Sequence, residues 1–279
     1  MTCNERDLHR TPDAVEAVAL VTTPVSTFAG RILLTRASGF FFRRDEALHL
    51  VTSRHVLSDE PNGHAPDRIE LLVHTDPQDL SRHIVLSCLL FENGKAAWRQ
   101  ARDAAGGIDV AVLRIDQSVL PKGALLRCLT PGHLLKDLHL AEIGAPLVLL
   151  GYPLGFHDTV HHLPVARHAI ISSAFGIRFQ RQGYFLTDGR THRGSSGSPV
   201  LMKVSADDDE MPWKLLGVHS SRMDIGGRDA VQDESLGLNC AWYADILMAL
   251  TSGEDREGPE PVRDGAEAAT PLGEAVPLP

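Results

Sequence analysis

A histidine, an aspartate and a serine follow one another in this chain, each against an apolar run. His55 ends Leu50-Val-Thr-Ser-Arg-His, a run of buried-strand type; Asp109 opens Asp-Val-Ala-Val-Leu-Arg-Ile; Ser196 lies in the small-residue loop Gly194-Ser-Ser-Gly-Ser-Pro-Val. A serine hydroxyl is a poor nucleophile at neutral pH and needs an adjacent imidazole to take its proton. The imidazole in turn needs a carboxylate to hold its tautomer and to stabilise its charged form. The transition state needs donors aimed at the developing oxyanion. Gly194 lets the backbone turn so that the amides of Gly194 and Ser196 converge, and Gly197 leaves the approach to the hydroxyl uncrowded. Singly, these residues read as a structural histidine, a strand-start turn and a flexible loop. Together, in order and each beside a strand, they specify acyl transfer.

The elements that must position them are short strands. Apolar or alternating runs occur at Ala17–Thr22, Arg31–Thr35, Gly39–Phe42, Leu48–Thr52, Ile69–His74 and His83–Leu90. A second set follows at Asp109–Ile115, Pro146–Gly151, Arg167–Ser172, Tyr184–Thr187, Pro199–Lys203, Leu215–His219 and Leu236–Trp242. Val204–Pro212, with four consecutive acids, reads as a polar hairpin tip. Leu134–Leu140 and Tyr243–Leu250 read as helix. Many short strands and one terminal helix predict an all-β sandwich or barrel, and the length suits two such units.

Composition narrows the function. The 279 residues are 43% apolar and 23% charged, enough for a sizeable core. No apolar run approaches the ~20 residues of a membrane helix, and the N-terminus does not resemble a secretory signal. Cys3, Cys88, Cys128 and Cys240 lie far apart without a CxxC pair, so the expectation is a cytoplasmic protein with reduced thiols and no zinc ribbon. Residues 252–279 hold seven acids and two arginines, so −5 of the net −9 sits in a tail expected to be disordered, as are residues 1–14. No basic face marks a nucleic-acid partner. His157, His161 and His162 form the densest histidine cluster, but the Gly-Tyr-Pro-Leu-Gly before them predicts a solvated loop, and neither metal nor cofactor is called for.

The three segments resemble the motifs of the trypsin/chymotrypsin-fold serine peptidases. The Gly194-Ser-Ser-Gly-Ser-Pro-Val loop is similar to that family's nucleophile loop, with an ending closer to the bacterial glutamyl endopeptidases; Phe185-Leu-Thr-Asp and Gly237-Leu-Asn-Cys-Ala-Trp resemble the HtrA-type branch. The resemblance covers roughly residues 15–250. It implies two six-stranded antiparallel β-barrels, residues 15–130 and 131–251, with a short C-terminal helix and the active site between them. It implies His55 as base then acid, Asp109 as its orienting partner, Ser196 as nucleophile, the Gly194 and Ser196 amides as oxyanion hole, and Ser220 as support for the aspartate. Val56 stands where vertebrate members have a disulfide cysteine, and Ser195 replaces the acid that pairs with a freed N-terminus, so activation by N-terminal cleavage is not expected. No segment for a PDZ domain follows residue 251, so HtrA-style peptide regulation is not expected either.

By position, Arg190 occupies the floor of the primary pocket, which disfavours a basic substrate residue there. Thr191 and His219 match the residues with which glutamyl endopeptidases hold a carboxylate, so a preference for Glu or Asp before the scissile bond is expected. The partner is then a protein or peptide substrate. Restraint would come from narrow specificity, a regulatory protein or a mobile loop, the Gly- and Asp-rich stretch 221–235 being the candidate. Two other functions share this machinery: a binding module that has lost turnover, and an acyl hydrolase acting on esters. The α/β-hydrolase route is disfavoured, because Ser196 lies outside a Gly-x-Ser-x-Gly elbow.

Overall fold

The structure is a computed structural model that describes residues 16–204, 211–223 and 236–252. The expected termini, most of the polar tip at Val204–Pro212 and most of the stretch 221–235 lie outside the described residues.

Two antiparallel sheets make up the body. The first contains β1 (Thr22–Ala29), β2 (Ile32–Arg44), β3 (Ala47–Thr52), β4 (Arg68–His74), β5 (His83–Leu89), β8 (Trp98–Asp103) and β9 (Gly106–Ile115), in the order β5-β4-β1-β2-β3-β9-β8. The one-turn helix α1 (Arg54–Leu57) follows β3, and a two-stranded ribbon, β6 (Phe91–Glu92) with β7 (Lys95–Ala96), precedes β8. The second sheet contains β10 (Pro146–Gly151), β11 (Val165–Ile170), β12 (Tyr184–Thr187), β13 (Pro199–Lys203), β14 (Trp213–Arg222) and β15 (Asn239–Tyr243), in the order β11-β10-β13-β14-β15-β12. The short helix α2 (Ile246–Leu250) closes the described chain. This is the all-β, double-barrel architecture with a small terminal helix.

Strand alternation explains how the core is divided. Successive side chains point to opposite faces. Phe41, Leu48, Leu50, Ala111 and Leu113 point into the first sheet's own core. Their neighbours Phe40, Phe42, Val51, Val110 and Val112 point the other way, into a shared cluster with Leu150, Leu201, Leu215, Val218 and Trp242 of the second sheet. Leu147, Leu149, Phe185, Val200, Leu216 and Ala241 fill the second sheet's interior. Strands buried on both faces give the near-continuous apolar runs seen in the sequence. Each fully buried aliphatic or aromatic side chain contributes about 1.5–3 kcal/mol, so the shared cluster holds the two sheets, and the groups between them, in fixed register.

Four local expectations are corrected. Ala17–Thr22 is not a strand: Glu16–Val21 forms a 3-10 turn whose Val18 and Val21 are buried in the shared cluster, and pairing begins at Thr22. Arg31–Thr35 and Gly39–Phe42 are parts of one 13-residue strand, continuous through a bulge opposite Thr27 and Phe28. Leu134–Leu140 is not a helix; separate 3-10 turns at Pro131–His133 and Leu138–Leu140 flank an irregular stretch. The first sheet gains β8 as a seventh strand, whose Arg99, Gln100 and Arg102 hide its strand character while Trp98 is buried.

Candidate active site

The register of β3 on β9 sets the position of Asp109. Thr52, the last residue of β3, pairs with Ala111, so Asp109 lies just beyond the end of β3. There the chain leaves the sheet through Ser53 and turns into α1, which places His55 on the first turn of a helix rather than at the end of the strand. The Asp109 carboxylate takes hold of this turn twice. Its Oδ1 accepts the His55 backbone N–H at 2.9 Å, and its Oδ2 lies 2.7 Å from His55 Nδ1. Ser220 Oγ donates to the same Oδ2 at 2.5 Å, and Arg54 Nε stands 3.9 Å from Oδ1. Burial raises the Asp109 pKa, but the hydrogen bonds from His55 and Ser220 and the His55 charge outweigh it, so the carboxyl titrates below its ordinary value. Asp109 is therefore an anion across the neutral range, and it fixes the imidazole with Nε2 facing outward.

His55 Nε2 faces Ser196 Oγ at 3.0 Å. Ser196 comes from the loop between β12 and β13, so tertiary packing joins residues 141 positions apart. The hydroxyl also lies 2.9 Å from the Ser220 carbonyl, a second acceptor for its single proton. Ser220 thus supports the carboxylate with its side chain and the nucleophile with its backbone.

The nucleophile loop is held open for an anion. The Arg193 carbonyl accepts from Leu154 N–H at 2.6 Å, and the Ser195 N–H bonds back to the His192 carbonyl at 3.1 Å. Among the described residues the N–H groups of Gly194 and Ser196 are left without an acceptor, and they flank the nucleophile. Gly194 has φ +91°, and a Cβ there would lie 2.6 Å from the Tyr152 carbonyl oxygen. Gly197 has φ +84°, and a Cβ would run into the Ser38 carbonyl and the Thr52 hydroxyl. Both positions therefore need glycine for conformation and for space.

The first sheet holds this loop. Buried Ser38 donates its hydroxyl to the Gly194 carbonyl at 2.8 Å and accepts Tyr152 N–H at 2.9 Å, while its own N–H bonds the Ser196 carbonyl at 2.9 Å. Thr52 Oγ1 donates to the Ser38 carbonyl at 2.8 Å, and Ser53 Oγ to the His219 carbonyl at 3.1 Å. Sequence reasoning did not single out Ser38. Its signal was a serine within the otherwise apolar run from Ala37 to Phe42, a placement that demands a buried hydrogen-bond partner.

The expected pocket residues fare differently. Thr191 is buried and donates its hydroxyl to Asn239 Oδ1 at 2.6 Å; Asn239 Nδ2 in turn donates to the Gly189 carbonyl at 2.6 Å. Thr191's proton is thus committed to Asn239, 48 positions away. His219 is buried beside the triad, with an Nδ1 that has no hydrogen-bond partner among the described residues. Burial pushes its imidazole down to about 4, so it is neutral at physiological pH. Arg190 is exposed, whereas Gly189 and Thr191 on either side are buried. The loop at 156–162 folds onto itself and the first sheet: His157 Nε2 lies 3.0 Å from His162 Nδ1, and His162 packs on His83. Among the described residues no three His, Cys, Asp or Glu side chains are placed to hold a metal ion.

A nucleophile, a base, an orienting carboxylate and, among the described residues, two uncommitted amide donors thus meet in one crevice between two β-barrels, the constellation of the trypsin-like peptidase class. The family comparison agrees: the model of the trypsin-like peptidase domain matches residues 37–208, more than half of the chain, and the chain belongs to that family. Among curated proteins, none matches. Among solved structures, the serine endoprotease from Yersinia pestis is 16% identical with a TM-score of 0.50; the match covers 89% of this chain and 66% of that one, so this chain spans less than two thirds of that protein's length. The protease Rv3671c of M. tuberculosis H37Rv, in its inactive form, is 17% identical with a TM-score of 0.46, covering 86% of this chain and 95% of that one. At 16% identity the Yersinia pestis protein speaks to the fold alone.

Proposed function

We propose that this chain hydrolyses peptide bonds through an acyl-enzyme on Ser196. The observation that carries this reading is the unbroken relay from Asp109 Oδ2 to His55 Nδ1 at 2.7 Å and from His55 Nε2 to Ser196 Oγ at 3.0 Å. Ser196 Oγ attacks the scissile carbonyl carbon while His55 Nε2 takes its proton. The Gly194 and Ser196 amides stabilise the oxyanion, and Asp109 stabilises the imidazolium. Collapse of the tetrahedral intermediate breaks the C–N bond, and His55 returns the proton to the departing amine. Water then attacks the ester by the same route, releasing the acid and restoring Ser196. Labelling by a fluorophosphonate probe in the wild type but not in Ser196→Ala, together with cleavage of casein lost by at least roughly a thousandfold in that variant, is the expected result. Labelling without peptide cleavage would leave an ester hydrolase; no labelling would leave a binding module.

The preference proposed for the residue before the scissile bond is Glu or Asp. Its support is His219, a neutral, buried imidazole next to the triad whose Nδ1 has no partner among the described residues. A substrate carboxylate that reached Nδ1 would supply the partner this atom lacks, and its charge would favour proton uptake there. Thr191 contributes its hydroxyl oxygen's position, and would have to release Asn239 to donate. A peptide library should therefore show Glu and Asp enriched at that position, with the enrichment lost in His219→Gln and largely retained in Thr191→Val. A profile dominated by apolar or basic residues would refute it.

A further inference from the structure

A cleft of about 700 Å³ opens from the nucleophile. His55, Ser196 and Gly194 line it, and so do the start of β2 from Leu33 to Ala37, Asp59, Leu154 and Arg193. The departing amine must lie against the imidazole that protonates it, so a cleft that opens from His55 receives the substrate chain on its leaving-group side.

Two arginines, Arg36 and Arg193, line this passage. The turn from Tyr152 to Gly155 touches both. On one side the Arg36 side chain lies across Gly155, where a Cβ would sit 3.0 Å from Arg36 Cδ. On the other, Leu154 N–H holds the Arg193 carbonyl at 2.6 Å. Both arginines are exposed, and neither side chain has a hydrogen bond or ion pair among the described residues. Their competitor within the cleft is Asp59, whose carboxylate is engaged by Asn62 Nδ2 at 2.7 Å. Leu33, Leu34 and Leu154 form an exposed apolar shelf beside the two charges. The cleft thus offers two unsatisfied cations next to a surface that can cover the aliphatic part of a side chain.

Resting on the endopeptidase reading, we propose that the substrate carries an acidic residue among the first three positions after the scissile bond, and that Arg36 and Arg193 hold its carboxylate. Exposed pairs of this kind change affinity by small factors and are weakened by salt.

The test uses the full-length protein and internally quenched peptides identical before the scissile bond, with Glu, Gln, Leu or Lys placed in turn at the three positions after it. At one position Glu should exceed Lys in kcat/KM by about tenfold, and Arg36→Gln and Arg193→Gln should each reduce that ratio about threefold, as should raising the salt toward ~1 M. Thermal melts confirm that the exposed substitutions leave the fold intact. A preference for Leu, no discrimination between Glu and Lys, or an acidic preference that survives both substitutions would overturn the proposal. Should turnover be absent, the anisotropy of the same peptides on Ser196→Ala protein reads the same preference. Fluorophosphonate labelling tests the endopeptidase reading separately, so the two failures are distinguishable.

Discussion

The Ser38 hydroxyl of the first sheet donates to the Gly194 carbonyl of the second at 2.8 Å, while Ser38 N–H holds the Ser196 carbonyl. One buried residue thus clamps the nucleophile loop on both sides of Ser195, and the geometry of two barrels becomes the geometry of the oxyanion site. Ser38→Ala would leave the Gly194 carbonyl and the Tyr152 N–H without their partner, at about 1–3 kcal/mol for each buried group. The expected result is a fall in kcat of roughly tenfold or more with KM little changed, since the lost contact shapes the transition-state site rather than the substrate groove. A purely structural role would lower the melting temperature and leave kcat per folded molecule intact.

Asp109→Asn keeps the shape of the side chain but replaces one acceptor oxygen with a donor facing His55 Nδ1. The imidazole would then adopt the wrong tautomer, and kcat should fall by about 10⁴. Ser220→Ala removes one of three hydrogen bonds to the carboxylate and leaves the Ser220 carbonyl in place. Its effect should be smaller, about tenfold. Steady-state kinetics on one peptide would compare the two, and equal losses would count against this ordering.

Gly194→Ala tests the donor pair. With φ at +91° and the Tyr152 oxygen 2.6 Å from the added Cβ, the peptide must move and carry its N–H away from the oxyanion position. Loss of one such donor costs roughly 10²–10³ in kcat. The rate of fluorophosphonate labelling should fall in parallel, because the same donors stabilise that adduct.

Acid should destabilise the fold partly through His219. Burial pushes its imidazole down to about 4, the nearby His55 adding to this and Asp109 opposing it. Below pH ~6.5 the unfolded chain takes a proton that the folded protein refuses until about pH 4. Stability therefore falls as pH drops through that window, by about 3 kcal/mol at its lower end. His49 and His74 are lowered mainly by burial and act in the same direction. Asp109 acts in the same direction at lower pH: its depressed pKa stabilises the fold above the ordinary carboxylate range, and that contribution is lost as pH falls through its lower folded value. Melting temperatures of wild type and His219→Gln from pH 7 to 4 check this; the variant should show the shallower decline, and parallel curves would rule out the assignment.

Local chemistry alone determined much of this protein. Alternation and apolar runs are properties of adjacent residues, so the all-β class and most strands were legible, and so were the three segments bearing His55, Asp109 and Ser196. Glu16–Val21 and Trp98–Asp103 misled because burial in a distant cluster and pairing at a sheet edge are not encoded in local periodicity. Tertiary structure decided what depends on distances between remote segments. It placed His55 on a helix turn, assigned Ser38 its clamp, committed the Thr191 hydroxyl to Asn239, and brought Arg36 and Arg193 to the lining of one cleft. The hydrogen bond across 156 positions arises from packing two barrels against one another and the one across 48 from folding of the second barrel, and no short window along the chain contains both partners.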